Sequence, residues 1–473
     1  MKNIKHTILI AAMLSAAFGA AASSQAKYVF YFIGDGMGLN QVQLAELYGA
    51  ETDGGRIGRE PLLMTGFPVV SVGSTFSESN GVTDSAASGT ALASGVKTAN
   101  GCIGVAADKK TPLKSIAHRA KEAGRRVGIS SSVAINHATP AAFYAHNKSR
   151  KNYNAIGRDL PASGFDFFGG SDFWGVTPAD SAGLFNEARR AGYTIVRGYD
   201  AYKKAASSAS RMILFQDSEA SAVDSRTTPY AIDRRSGDLS LAQIVSAGID
   251  FLAKDAPNGF FFMIEGGNID WECHSNDAAA VAAEVRDFDS AIAVAYDFYR
   301  QHPDETLIVV TADHETGSLC LGTGSYDLNL RALASQKVSE VQFSRMLNDA
   351  HRRGGGNFSW DDARRMLADN FGFWEEIELT PEQEESLRAA FTRSYGKERQ
   401  STQSEYQKDV PLASEAKRIL DSIALVGWGS GGHSASFVPV FAIGSGAENF
   451  KALNDNAQIA RRIARIGGYP VEN

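Results

Sequence analysis

Several short segments of this chain hold residue types that bind divalent metals, and most of them follow a run that reads as a strand. Asp35 stands in Gly34-Asp35-Gly36-Met37-Gly38 after Tyr28–Ile33, and Glu265 follows Phe260–Ile264. Asp313 and His314 come after Leu307–Thr311, and His433 ends Gly429-Ser430-Gly431-Gly432-His433. Asp270 and His274 are four residues apart, a spacing that sets both side chains on one face of a helical turn. Carboxylate and imidazole donors without thiolates suit Zn²⁺ in hydrolytic sites, and carboxylate-rich pockets suit Mg²⁺. Singly, these residues have plainer uses, since strand-end aspartates cap turns and lone histidines satisfy core hydrogen bonds. Their joint placement beyond strand ends exceeds what turn chemistry requires.

A second segment, Thr83-Asp84-Ser85-Ala86-Ala87-Ser88-Gly89-Thr90-Ala91, is rich in small residues and places a serine where a helix would begin. A helix N-terminus attracts anions through its free N–H groups and its dipole, and small residues let a phosphate approach the backbone. A closely packed small-residue helix with a capping serine is the plainer alternative.

The elements that must position these residues alternate. Tyr28–Ile33, Val127–Ser131, Phe260–Ile264 and Leu307–Thr311 are nearly continuous apolar or β-branched runs, as expected of strands buried on both faces. Helical patterns such as Leu113–Ala123 and Ala278–Arg300 lie between them. The alternation predicts an α/β fold with a doubly wound, mostly parallel central sheet, whose functional residues gather beyond the carboxyl ends of its strands. From about 326 to 423 strand signals give way to helix signals. Thr380-Pro381-Glu382-Gln383 reads as a capping box with proline at the first helical position, and Ser359 reads as another helix start. This stretch is expected to be a helical insertion within one large domain spanning 27–473. No internal repeat is evident.

A formal charge of −7, with 44% hydrophobic and 21% charged residues, describes an ordinary globular protein without a basic surface for nucleic acid. Lys2 and Lys5 precede an apolar run from Ile8 to Ala22, and Ser24-Gln25-Ala26 offers small residues at the cleavage positions. Residues 1–26 are therefore expected to be a signal peptide. The mature chain would begin near Lys27, without a membrane span, in the periplasm or outside the cell. Cys102, Cys273 and Cys320 are too few for a disulfide framework and are expected to be buried thiols.

Asp35-Gly36-Met37-Gly38, Asp84-Ser85-Ala86-Ala87-Ser88, Ala138-Thr139-Pro140-Ala141-Ala142, Glu265-Gly266 with Asp270 and His274, and Asp313-His314 together resemble the alkaline phosphatase family in order and spacing. The likeness runs over nearly all of the chain beyond the targeting segment and is loosest in the insertion. It implies hydrolysis of phosphate monoesters through a phosphoserine, with Ser85 as nucleophile and Arg150, eleven residues after Thr139, as phosphate clamp. It implies two Zn²⁺, one held by Asp270, His274 and His433 and the other by Asp35, Asp313 and His314. One Mg²⁺ would be held by Asp35, Thr139 and Glu265, and a homodimer is expected. The chain departs from some bacterial relatives at His137 and Trp271, where those carry Asp and Lys. His137 is expected to act on the third metal from outside its ligand set, or to make that site suit Zn²⁺. Trp271 either replaces the cation of a lysine beside the phosphate or packs next to the metals. A phosphodiesterase of the same superfamily is the nearest alternative. A sulfatase lacks support because no Cys- or Ser-x-Pro-x-Arg segment surrounds Ser85, and a binding protein with structural metals would need no nucleophile.

Overall fold

The computed structural model describes residues 25–470 apart from Ser325, Gly356 and Glu398. The expected targeting segment falls almost wholly in residues 1–24, outside the described residues. Among the described residues no helix is long and apolar enough to cross a membrane.

Eight strands of the central sheet come in the first two thirds of the chain: β1 Tyr28–Gly34, β2 Val69–Ser74, β3 Arg126–Ser131, β4 Phe167–Gly170, β5 Tyr193–Arg197, β6 Arg211–Phe215, β7 Phe260–Gly266 and β8 Thr306–Thr311. Two more, Val438–Gly444 and Asn454–Asp455, bring the sheet to ten. Their order across the sheet is Asn454–Asp455, β2, Val438–Gly444, β8, β1, β7, β3, β4, β6, β5. Val438–Gly444 runs antiparallel to β2 and β8, and the other pairings are parallel. The fold is thus the expected α/β architecture with a mostly parallel sheet.

The apolar strands have the predicted cause. Tyr28, Phe30, Phe32, Phe260, Phe262 and Ile264 belong to the core on one face of the sheet. Val29, Tyr31, Ile33, Phe261 and Met263 belong to the core on the other. With both faces covered, alternation of polar and apolar residues disappears, leaving the continuous runs seen in the sequence. A one-residue slip would then change burial little, so helix packing and the polar residues past the strand ends must hold the register.

Residues 340–423 contain the helices Glu340–Arg353, Trp360–Phe371, Pro381–Tyr395 and Pro411–Ile423. Ser359 and Thr380 each cap with a complete capping box. Leu347, Leu367, Leu387, Leu412 and Leu420 join the same core as Phe30 and Phe262, so this region packs as part of the body. One feature differs from an all-helical insertion: Thr402–Gln403 and Lys408–Asp409 form a short antiparallel pair whose turn carries Tyr406. Two-residue strands in a polar stretch leave no periodic pattern to read.

Cys102 and Cys273 are buried free thiols as expected, but Cys320 is exposed. It is the middle residue of the strand Leu319–Leu321, paired with Val426–Trp428. Leu319 turns inward there, and period-two geometry turns its neighbour out.

Candidate active site

Parallel register brings the polar segments to one level. Ile33 of β1 sits opposite Glu265 of β7 and Thr311 of β8, and Ser131 of β3 also faces Glu265. Asp35 and Asp313 follow their strands by one and two residues, so they arrive beside Glu265 at the carboxyl edge. Gly36 makes the turn with φ +71°, and a Cβ there would lie 2.8 Å from Asp270 Cα and 2.9 Å from Thr316 Oγ1. Only glycine combines that backbone with so close an approach. The helix Asn268–Ser275 then presents Asp270 and His274 on one face, as the four-residue spacing predicts.

Three groups of donors converge at this edge. Asp270, His274 and His433 form one, Asp35, Asp313 and His314 a second, and Asp35, His137 and Glu265 a third. Within each group the ligand atoms lie within 4.8 Å of one another. The first two groups are the two expected zinc sets. The third places His137 at ligand range, nearer than a purely supporting role requires. Thr139 Oγ1 lies 3.4 Å from Asp313 Oδ2, while Ser131 donates to Glu265.

The imidazoles are oriented from behind. His274 Nδ1 donates to Gly431 O at 2.7 Å and His433 Nδ1 to Thr83 O at 2.9 Å, which fixes both tautomers with Nε2 bare. The two bare Nε2 atoms face each other at 3.2 Å. Two lone pairs cannot hydrogen-bond one another; a cation between them resolves the conflict. Thr316 Oγ1 braces Asp270 Oδ1 at 2.5 Å and His314 Nδ1 at 3.2 Å. Asp35 Oδ1 and Oδ2, Glu265 Oε1 and Asp270 Oδ2 are buried without any hydrogen-bond partner. Such orphaned carboxylate oxygens, at least one in every group, fit metal ions.

The electrostatics agree. Burial, with Asp313, Asp270 and Glu265 adding repulsion, raises the Asp35 carboxyl well above the usual range. Burial likewise pushes Asp313 up to about 8 and Glu265 up to about 7. For Asp270 burial acts in the same sense, but the imidazoles of His274, His433 and His314 outweigh it and hold the carboxyl below its ordinary value. Four buried carboxylates cannot all ionise without added positive charge.

Ser85 is the first residue of the helix Ser85–Ser94, whose N-cap Asp84 accepts from Ala87 N. Gly89 lets this helix approach closely, since a Cβ there would meet Thr139 Cα at 3.2 Å. Ser85 Oγ lies 3.2 Å from His314 Nε2 and accepts from Arg150 Nη1 at 3.4 Å. Arg150 Nη1 also reaches Asp84 Oδ2 at 3.1 Å, and Nη2 reaches His137 Nε2 at 3.1 Å. A cleft of about 830 Å³ opens onto this cluster, lined among others by Asp84, Arg150, Trp174, His274, Tyr406 and His433.

All twelve residues singled out from the sequence lie in or against this cluster. Trp271 is completely buried and stacked on Tyr406, with ring centroids 4.6 Å apart. Sequence reasoning missed the bracing by Thr316, the aromatic wall of Trp174, and Tyr406. Thr316, two residues after His314, was within reach of a search for side chains that orient ligands; Trp174 and Tyr406 carried no local signal.

A mostly parallel sheet that lifts three carboxylate–imidazole groups and a helix-start serine to its carboxyl edge defines a hydrolytic enzyme of the α/β class with metal-type sites. A family model described as alkaline phosphatase matches residues 26–174 and 176–469, and the chain belongs to that family. Its activity is accordingly the hydrolysis of phosphate monoesters. The chain is 30% identical over 462 residues to alkaline phosphatase 4 of Bacillus subtilis, covering 94% of this chain and 89% of that one. It superposes on the cold-active alkaline phosphatase of Shewanella sp. with a TM-score of 0.78 at 30% identity, covering 93% of this chain and 99% of the other. A histidine-to-aspartate variant of the alkaline phosphatase from the Antarctic bacterium TAB5 has Mg bound in its M3 site. That structure matches with a TM-score of 0.64 at 26% identity, covering 95% of this chain and 99% of its own.

Proposed function

We propose that this alkaline phosphatase works through a covalent phosphoserine at Ser85. One observation carries the reading: Ser85 Oγ stands at a helix start between His314 Nε2, of the second donor group, and Arg150 Nη1. Asp270, His274 and His433 would hold one Zn²⁺, and Asp35, Asp313 and His314 the other. Asp35, Thr139 and Glu265 would hold Mg²⁺, with His137 close enough to take part. Bound there, the ions supply the charge that favours ionisation of the serine and of a water and that steadies the leaving oxygen.

The protein's own groups do the rest. Arg150 offers a planar fork to two phosphoryl oxygens, and free N–H groups at the Ser85 helix start face the same anion. Ser85 loses its proton, and Oγ bonds to phosphorus as the bond to the ester oxygen breaks, so that the alcohol departs with a proton. Water then bonds to phosphorus as the Oγ–P bond breaks, Ser85 regains a proton, and inorganic phosphate leaves. Recognition rests on the phosphoryl group, so a broad range of alcohols is expected.

Side-by-side rates on p-nitrophenyl phosphate, its bis ester and the sulfate test the monoester preference. Faster turnover of the bis ester would overturn it in favour of a diesterase. Metal analysis of the same preparation tests the ion assignment. Export follows from the apolar N-terminal segment and is tested by fractionation. A homodimer would find apolar side chains near the Asn454–Asp455 edge of the sheet and the adjoining β2, where Val70, Phe76 and Leu453 are exposed; sedimentation tests it.

A further inference from the structure

Tyr406 belongs to the short hairpin of the inserted region, 256 positions from Arg150, yet its side chain reaches that guanidinium. Its Oη accepts from Arg150 Nη2 at 3.2 Å. Its ring stacks on Trp271 at 4.6 Å with an interplanar angle of 16°, and meets His274 edge-on at 5.3 Å. The turn is itself anchored. Arg226 Nη1 donates to Tyr406 O at 2.7 Å, Arg226 Nη2 to Gln407 Oε1 at 3.0 Å, and Gln407 Nε2 to Tyr230 Oη at 3.1 Å. Asp224 in turn grips Arg226 through Nε and Nη2 at 2.9 and 2.7 Å.

The guanidinium of Arg150 is thus held on every side: Nη1 by Asp84 and Ser85, Nη2 by His137 and Tyr406. A free arginine side chain carries about 2 kcal/mol of rotamer entropy, which a site recovers only by fixing the group before the ligand arrives. Asp84, Ser85 and His137 reach Arg150 from earlier in the chain, whereas Tyr406 reaches it from the inserted region. We propose that Tyr406 is a positioning residue that holds Arg150 in its phosphate-facing orientation, making the inserted hairpin part of the phosphate site. The inference rests on the reading of Arg150 as the phosphate clamp.

Tyr406→Phe removes one oxygen and keeps the stacking on Trp271, so the fold and the donor groups are expected to stay intact. Binding of inorganic phosphate, followed by calorimetry and by competitive inhibition, should weaken roughly 5- to 10-fold, the scale of one lost hydrogen bond. KM should rise in parallel, by more than kcat changes, and zinc content should stay at the wild-type level. In an Arg150→Ala background the same substitution should change phosphate binding less than about twofold, because the group it positions is gone. If Arg150→Ala weakens phosphate binding and Tyr406→Phe does not, Tyr406 is a packing residue and the clamp stands. If Tyr406→Phe weakens binding equally in both backgrounds, or lowers bound zinc, its role is not the positioning of Arg150. If Arg150→Ala binds phosphate as wild type does, the clamp reading fails and this inference fails with it.

Discussion

Ser85 is in neither of the two zinc-type donor groups, though it lies against both His314 and Arg150. Ser85→Ala should therefore keep its metals and lose at least about a hundredfold in kcat, because a water must replace the positioned nucleophile. Acid quenching with labelled substrate should trap phosphate on Ser85 in wild type; full activity in the variant, or label on no serine, would falsify the covalent route. His137 makes a different prediction. Burial, aided by the charge of Arg150, drops its pKa to about 3, so it is a neutral imidazole beside Asp35 and Glu265. Mg²⁺ prefers oxygen, and an aspartate there would supply it. His137→Asp should tighten Mg²⁺ binding by about tenfold or more, the scale of a supporting ligand change. Identical magnesium dependence of the variant and wild type would make His137 a packing residue. Trp271 does not invite the matching lysine. It is completely buried under the Tyr406 ring, and an ammonium there would be stripped of water without a built partner.

The helix Ala278–Gln301 shows an element carrying a buried charge problem away from the chemistry. Burial and the nearby Asp287 push Glu284 up to about 8, although Arg234 and a bond from Ala231 N oppose this. A carboxyl with a raised folded pKa contributes stability that is complete below its unfolded value near 4.5 and is lost as pH rises towards 8. Glu284→Gln keeps the acceptor for Ala231 and cannot ionise. It should remove that slope and raise stability at pH 8 by roughly 1–3 kcal/mol relative to wild type, read from urea unfolding at pH 5 and pH 8. Equal slopes would mean that Glu284 is ionised throughout. Element signals were legible wherever local chemistry dictated them. The capping boxes at Ser359 and Thr380 and the strand runs ending in Asp35, Glu265 and Asp313 all appear where expected. The helix expected over Leu113–Ala123 starts later than its apolar pattern, at Ile116, because Ser115 caps it. The donor residues were readable because metals demand particular residue types at strand ends. Arg150 was readable only through family spacing. Tyr406 was not readable, since a single tyrosine in Ser404-Glu405-Tyr406-Gln407 acquires its meaning from pairing with a residue 256 positions away.

At the scale of the molecule, the donor groups concentrate negative charge in the buried interior of the fold. Removing bound metal should then destabilise the whole protein, by on the order of 10 °C in Tm, and zinc should restore it. In the metal-free protein Asp313 and Glu265, raised to about 8 and about 7, are held neutral by their surroundings. Their contribution is complete below about pH 4 and is lost as pH rises through 7 and 8, so the chelated enzyme should melt lower at pH 9 than at pH 6. A Tm indifferent to chelator, or a chelated protein equally stable at both pH values, would contradict this account. The sheet order has one more consequence. Val438–Gly444 inserts between β2 and β8, and His433 reaches Asp270 and His274, on the helix after β7, from just before that strand. Asp270 and His274 are made well before His433, so a chain emerging from the ribosome has no complete first donor group until almost all of it has been synthesised. Metal capture at that first group is therefore a late step of assembly, since before His433 is made it offers an ion only Asp270 and His274.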